Sequence, residues 1–185
     1  MKAVFGRRVA DGFTYKDYLE WDEENRWELI DGFPFMMGSP TRTHQRLLGQ
    51  LFLQLSLFLE NKQCEPYMAP FQVRLFPKED MTDKDVVQPD LMVICDQNKI
   101  FEEGVKGAPD FVIEIVSKWS RTRDLVEKRR LYEEAGVREY WAIDLDRKKF
   151  YKYLLKDGSF EEMIKDLKEN FSERVEILSE FELKF

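Results

Sequence analysis

Histidine is almost missing from this chain, and cysteine is scarce. Among 185 residues there is one histidine, His44, and there are two cysteines, Cys64 and Cys95. A single imidazole excludes a zinc site built on several His or Cys ligands, and HExxH and HNH-type sites with it. A Ser-His-Asp triad would have to use His44, and no GxSxG elbow accompanies it. Neither GxxxxGK[ST] nor GxGxxG occurs, so nucleotide-triphosphate and Rossmann readings lack their motif. Two cysteines without a CxxC do not make a disulfide framework, a usage that fits a reducing cytosol. No run of about 18 apolar residues is present, so no membrane-spanning helix is expected. Residues 1–8 carry no apolar signal core, and the expected location is cytoplasmic.

What is present is enough for one domain with a core: 43% hydrophobic, 35% charged and 14% aromatic residues. With histidine and cysteine so limited, an enzyme site would be built from carboxylates and lysine, which favour hard cations such as Mg²⁺. The net charge of −7 disfavours non-specific nucleic-acid binding, but it is unevenly spread. Residues 118–130 hold six basic groups against Asp124 and Glu127, about +4, whereas residues 157–182 hold nine acids against three bases, about −6. The basic run is either a solvated helix face or a local phosphate-facing patch, with Lys118, Arg121 and Arg123 as candidate phosphate contacts.

No repeat, low-complexity tract or linker interrupts the chain. Thr14 suits the N-cap of a short helix, and Asp31-Gly32 between two apolar runs is a hairpin signal. Ser39-Pro40-Thr41 introduces a helix to about Glu60, with His44, Leu48, Leu51, Leu55 and Phe58 on one face. Strands are expected at 66–76, 86–95, 110–117, 139–145 and 148–155, and one or two more beyond Gly158. A helix over 120–135 stops at Gly136. This order gives a mixed α/β sheet with a crossover helix. The aromatics of 140–141 and 150–153 read as core or interface, and exposed ones there would favour a homodimer.

Residues 110–117, DFVIEIVS, are the most informative. Phe111, Ile113 and Ile115 alternate with Val112 and Val116, so both faces are apolar and the strand is central. Glu114 in its middle is costly to desolvate, and is either paired with a buried Arg or Lys or serves as a metal ligand or acid/base group. Asp90 follows Pro89, which cannot donate to a ladder and marks a kink or bulge; its alternative is a turn cap. Leu125, Lys128 and Tyr132 share a helix face toward the sheet. Lys128 either snorkels to water or reaches back to Glu114, and Asp124 one turn earlier could pair with it. Glu28 is a candidate extra ligand or an exposed hairpin glutamate, His44 a core histidine or a base, and Gln88 a possible substrate contact.

Pro89-Asp90, 23 intervening residues and then Glu114 on a buried strand resemble the PD-(D/E)XK nuclease superfamily. Further segments narrow the likeness: Glu28-Leu29-Ile30-Asp31-Gly32, Ser39-Pro40 with His44, Pro109-Asp110, Lys128, Tyr132, and residues 136–144, GVREYWAID. Together they are similar to the Uma-type restriction endonucleases, small stand-alone proteins, over residues 14–155 at least. The resemblance implies a restriction-endonuclease-like α/β fold, a mixed sheet flanked by helices. It implies one domain: helix and hairpin at 14–38, nuclease core at 41–155 and C-terminal strands at 156–185. By that likeness Asp90 and Glu114 hold Mg²⁺ (or Mn²⁺), with Glu28 as a further ligand, and DNA is the substrate. The superfamily lysine slot is Val116 here, so Lys128 on the next helix would supply it. Two competing readings are a non-catalytic binding module on the same fold and a metal-dependent phosphoesterase acting on a small molecule.

Overall fold

The computed structural model describes residues 12–21, 24–179 and 181–185. Residues 1–8, read above for a signal core, lie outside the described residues. Helix α1 (Tyr15–Tyr18) leads into the hairpin β1 (Trp27–Ile30) and β2 (Phe33–Met36), then α2 (Arg42–Leu59). Strands β3 (Glu65–Met68), β4 (Gln72–Arg74), β5 (Val86–Val87) and β6 (Leu91–Ile94) follow. Two short strands, β7 (Ile100–Phe101) and β8 (Gly104–Lys106), precede β9 (Phe111–Val116). A π-helical segment (Arg123–Lys128) runs into α3 (Arg129–Ala135). The chain ends with β10 (Glu139–Asp144), β11 (Lys149–Lys156), β12 (Ser159–Asp166), β13 (Ser172–Val175) and β14 (Phe181–Lys184).

The strands form two six-stranded sheets and a hairpin. One sheet has the order β2–β1–β5–β4–β8–β7, the other β12–β11–β10–β9–β6–β3, and β13 pairs with β14. The fold is the expected mixed α/β class, but it is built on two sheets rather than one. Two predicted strands break where the chain passes between them. Residues 66–76 divide into β3 and β4, and 86–95 divide into β5 and β6. Each break holds a proline, Pro70 and Pro89, which has no N–H for a ladder. The breaks are tied to each other: Ala69 N–H donates to the Asp90 carbonyl (3.2 Å).

The second sheet is buried on both faces. Leu47, Leu48, Leu51, Leu55 and Leu59 of α2 pack with Phe111, Ile113, Ile115, Trp141 and the β13–β14 hairpin on one side. Val112, Val116, Tyr140 and Ala142 pack against α3 and the first sheet on the other. All six residues of β9 and all six of β10 are buried, as a parallel pair covered on both faces requires. Tyr140, Trp141, Phe150 and Tyr153 are core residues, so these aromatics offer no surface for a homodimer.

Cys64 and Cys95 face each other beside the β3–β6 ladder and form a disulfide. The cysteines are thus paired, and their number does not carry the reducing cytosol drawn from it. Among the described residues no helix is long and apolar enough to cross a membrane.

A second charge cluster holds the C-terminal hairpin. Lys152, buried on β11, donates to Glu173 (3.1 Å), Glu176 (3.1 Å) and the Arg174 carbonyl (2.7 Å). Glu139 lies 3.7 Å away and takes hydrogen bonds from Trp141 Nε1 and Ile177 N–H. An isolated two-stranded hairpin is marginal in water, and this lysine joins it to the sheet. Lys152→Met leaves buried Glu139 without its cation and Glu173 with Lys165 alone, and we expect a loss of about 3 kcal/mol in urea unfolding.

Candidate active site

Asp90 and Glu114 meet at the crossing between the two sheets. The chain leaves β5, passes Gln88-Pro89-Asp90 and enters β6, which runs antiparallel to β9. The Asp90 Oδ2 atom accepts the Ile115 N–H (2.8 Å), and the Asp90 N–H reaches Glu114 Oε2 (3.3 Å). His44, in the first turn of α2, places Nε2 3.1 Å from the same Asp90 oxygen. The Thr41 cap, which accepts the His44 N–H (3.2 Å), fixes the start of that helix. Asp90 and His44 are the open members of the group, with side chains 15% and 16% exposed.

Behind them lies a buried charge network. Lys128 Nζ is 2.8 Å from Glu114 Oε1 and 2.6 Å from Glu28 Oε1, with Asp124 Oδ1 at 3.9 Å. The Tyr132 hydroxyl donates to Glu114 Oε1 (2.7 Å). Glu28 is fully buried, not an exposed hairpin residue. Its Oε1 also accepts the Gln88 N–H (2.9 Å), and its Oε2 lies 3.4 Å from Arg123 Nε without an aligned hydrogen bond. The helix contributes through its π-helical turn, a local widening often found at functional sites. Asp124, Lys128, Leu131 and Tyr132 form the buried stripe, and the expected Leu125 packs partly buried against the same core.

The remaining candidates are placed differently. The Gln88 side chain is used internally, donating to the Tyr18 hydroxyl and the Trp27 carbonyl and accepting from Arg26. Arg121 forms a two-pronged pair with Asp144 (2.7 and 3.2 Å), which straps the helix start to β10. Arg123 faces Glu28 and the ring of Phe35. Lys118 is exposed in the loop after β9. Sequence reading assigned no role to Tyr132, although it lies four residues from Lys128 on one helix face. It raised Asp124 only as a partner for that lysine.

Two cations, Lys128 and Arg123, serve three carboxylates here, Glu28, Glu114 and Asp124. Burial pushes the Glu114 carboxyl up to about 8, against the pull of Lys128 and with help from Asp90, Asp124 and Glu28. Burial likewise raises Asp124 to about 6. Lys128 loses by burial, but Glu114, Glu28 and Asp124 outweigh that and raise its pKa. It is an ammonium throughout the neutral range.

Among the described residues no three His, Cys, Asp or Glu side chains converge on one point as a metal cage. Asp90 Oδ1 makes no hydrogen bond in the network above, and Glu114 Oε2 makes only the 3.3 Å contact. Two hard oxygens suit Mg²⁺, which keeps several waters and takes one or two carboxylates. Glu28 points its oxygens at Lys128 and Arg123, and anchors the lysine. Two cavities, about 440 and 320 Å³, lie at Phe52–Pro66 and beside Tyr15 and Arg74, and neither is lined by these carboxylates.

Raised carboxyl pKa values stabilise the fold most at pH values below their unfolded ones, and the gain is lost as pH rises through the folded values. We expect the unfolding free energy, without divalent cation, to fall by roughly 2–4 kcal/mol between about pH 5 and pH 8. Glu114→Gln, which keeps an acceptor for Lys128 and Tyr132, should remove most of that slope in urea titrations.

Comparison with known proteins agrees with this architecture. A protein of Anabaena variabilis ATCC 29413, described as a putative nuclease belonging to DUF820, superposes with a TM-score of 0.74 at 18% identity, covering 93% of this chain and 94% of its own. No curated protein matches the chain. The profile of the Uma2 family, described as "Putative restriction endonuclease", matches residues 15–185. A match over nearly the whole length, on a fold shared with that protein, means that the chain belongs to the Uma2 restriction-endonuclease family.

Proposed function

We propose that the protein is a metal-dependent endonuclease that hydrolyses phosphodiester bonds in DNA, with Asp90, Glu114 and Lys128 as its working residues. The observation that carries this reading is the junction itself. A carboxylate from the β5–β6 link and one from β9 are joined by the Asp90 N–H, and a lysine ammonium sits 2.8 Å from the second. Mg²⁺, or Mn²⁺ in its place, would be held by Asp90 and Glu114 and would supply charge relief at the phosphate and a more acidic water.

The chain's own residues set the geometry. Tyr132 and Lys128 hold one oxygen of Glu114, which leaves the other turned toward Asp90. The Ile115 N–H and His44 hold one oxygen of Asp90, which leaves the second for an outside partner. Lys128, kept protonated by three carboxylates, acts as a donor that orients water or meets charge on phosphoryl oxygens, not as a proton acceptor. Substrate enters on the side of Asp90 and His44, where the side chains reach solvent.

A second reading has an observation of its own. Glu114 and Lys128 are only 3% and 1% exposed, as in a purely structural ion network within a non-catalytic binding module. Supercoiled plasmid separates the two. The nuclease reading expects nicking in Mg²⁺ or Mn²⁺ but not in EDTA, abolished by Glu114→Ala and by Asp90→Ala. Lys128→Met should lower the rate by about 100-fold or more, with its folding checked by circular dichroism. Absence of both cutting and Mn²⁺ binding in the wild type would favour the structural network.

A further inference from the structure

Trp119 is the most exposed large apolar side chain among the described residues, at 91%. Of the other tryptophans, Trp27 and Trp141 are 6% and 0% exposed and Trp21 is partly buried. An indole left in water needs a reason, because it is the side chain with most to gain from burial. Nothing in the loop makes the ring a spacer. Residues 117–122 read SKWSRT, so its neighbours are polar or cationic.

The turn that presents it is held by its serines. Ser117 N–H donates to Ser120 Oγ (3.0 Å), Ser120 N–H donates to Ser117 Oγ (3.0 Å), and the two hydroxyls meet at 2.9 Å. With both serines turned to each other, the two central residues project outward. The Lys118 ammonium lies 5.6 Å from the centre of the Trp119 ring. Arg121 is held by Asp144 and Asp146, so Lys118 is the cation available beside the indole.

Position gives the pair a purpose. The turn continues β9 directly, three residues after Glu114, and leaves it at the end where the Ile115 N–H meets Asp90. Five residues of extended chain span at most about 17 Å. The ring therefore stands within a few nucleotide spacings of Glu114, beyond the end of β9 at which the Ile115 N–H meets Asp90.

We propose that Trp119 and Lys118 form a nucleobase-stacking subsite at the rim of the carboxylate site. This deepens the nuclease reading and rests on it. Every base has a π-face, so a stacking indole holds a strand without selecting its sequence. An ammonium beside the ring suits the phosphate that accompanies each base. On a chain of net charge −7, such a subsite supplies affinity that bulk electrostatics does not. A protein partner would seek a contiguous apolar patch, and a single ring among serine, lysine, arginine and threonine is not one.

The test uses the full chain, Ca²⁺ in place of Mg²⁺, and end-labelled oligothymidylate, single-stranded or paired with oligoadenylate. Fluorescence anisotropy should show Trp119→Ala binding about tenfold more weakly and Trp119→Phe close to wild type. Tryptophan emission should be quenched on binding in the wild type and markedly less in Trp119→Phe. In Mg²⁺, Trp119→Ala should raise KM for DNA while leaving turnover of bis(p-nitrophenyl) phosphate unchanged. Unaltered affinity and quenching beside intact plasmid cutting would overturn the subsite alone and leave the nuclease reading standing. A wild type that neither binds nor cuts DNA would overturn both. A changed oligomeric state of Trp119→Ala on gel filtration, without a change in DNA affinity, would assign the ring to a protein contact instead.

Discussion

One buried ammonium organises this molecule. Lys128 lies on the helical crossover, Glu28 on the first sheet and Glu114 on the second, and the three meet within 2.8 Å contacts. Each layer thus contributes one charge to a point where the others must also arrive. Such a network is a poor source of net stability, because desolvation consumes most of the attraction. Its effect lies in what it forbids. Any shift of the helix along the sheet would strand Glu28 and Glu114 without a cation. Any slip of β9 by one residue would turn Glu114 into the opposite, leucine-rich core. The apolar contacts on either side of the second sheet tolerate small displacements, and the ion network does not.

The site lies at a crossing because a crossing is where backbone groups and side chains come free of a ladder. Between β5 and β6 the chain changes sheets, and Pro89 removes a donor at that step. The freed Asp90 N–H turns to Glu114, and the Gln88 N–H turns to Glu28. Two buried carboxylates that Lys128 already pairs each gain a further hydrogen bond from the backbone that the sheet change released. The same break that ends β5 therefore creates the polar surroundings in which buried acids are tolerable.

Much of this was legible in the sequence, for identifiable reasons. Alternation around Glu114 marks a strand buried on both sides, and a carboxylate there announces a partner. The helix face carrying Lys128 and Tyr132 marks where the partner comes from. Gly136, at φ 88°, ends the helix where its freedom is needed. Three features escaped. The runs 66–76 and 86–95 each look like one strand, because apolar alternation continues through the prolines while the chain moves to another sheet. The strands β7 and β8, of two and three residues, are too short for any periodicity. The burial of Glu28 was also hidden, since a four-residue hairpin strand looks alike whether one face or both are covered.

The charge count of the site links these points. Glu28, Glu114 and Asp124 face Lys128 and Arg123, with Asp90 beside Glu114, and burial, with the neighbouring carboxylates adding to it, raises the Glu114 and Asp124 carboxyls. A buried acid lacking a full counter-charge retains a proton instead. On the proposed nuclease reading, a divalent cation between Asp90 and Glu114 would meet the same deficit, and the two solutions exclude each other at Glu114. A third basic side chain in place of the missing charge would give a more stable interior and leave Glu114 committed to it. As the site stands, one carboxylate oxygen of Glu114, turned toward Asp90, and one of Asp90 are weakly engaged.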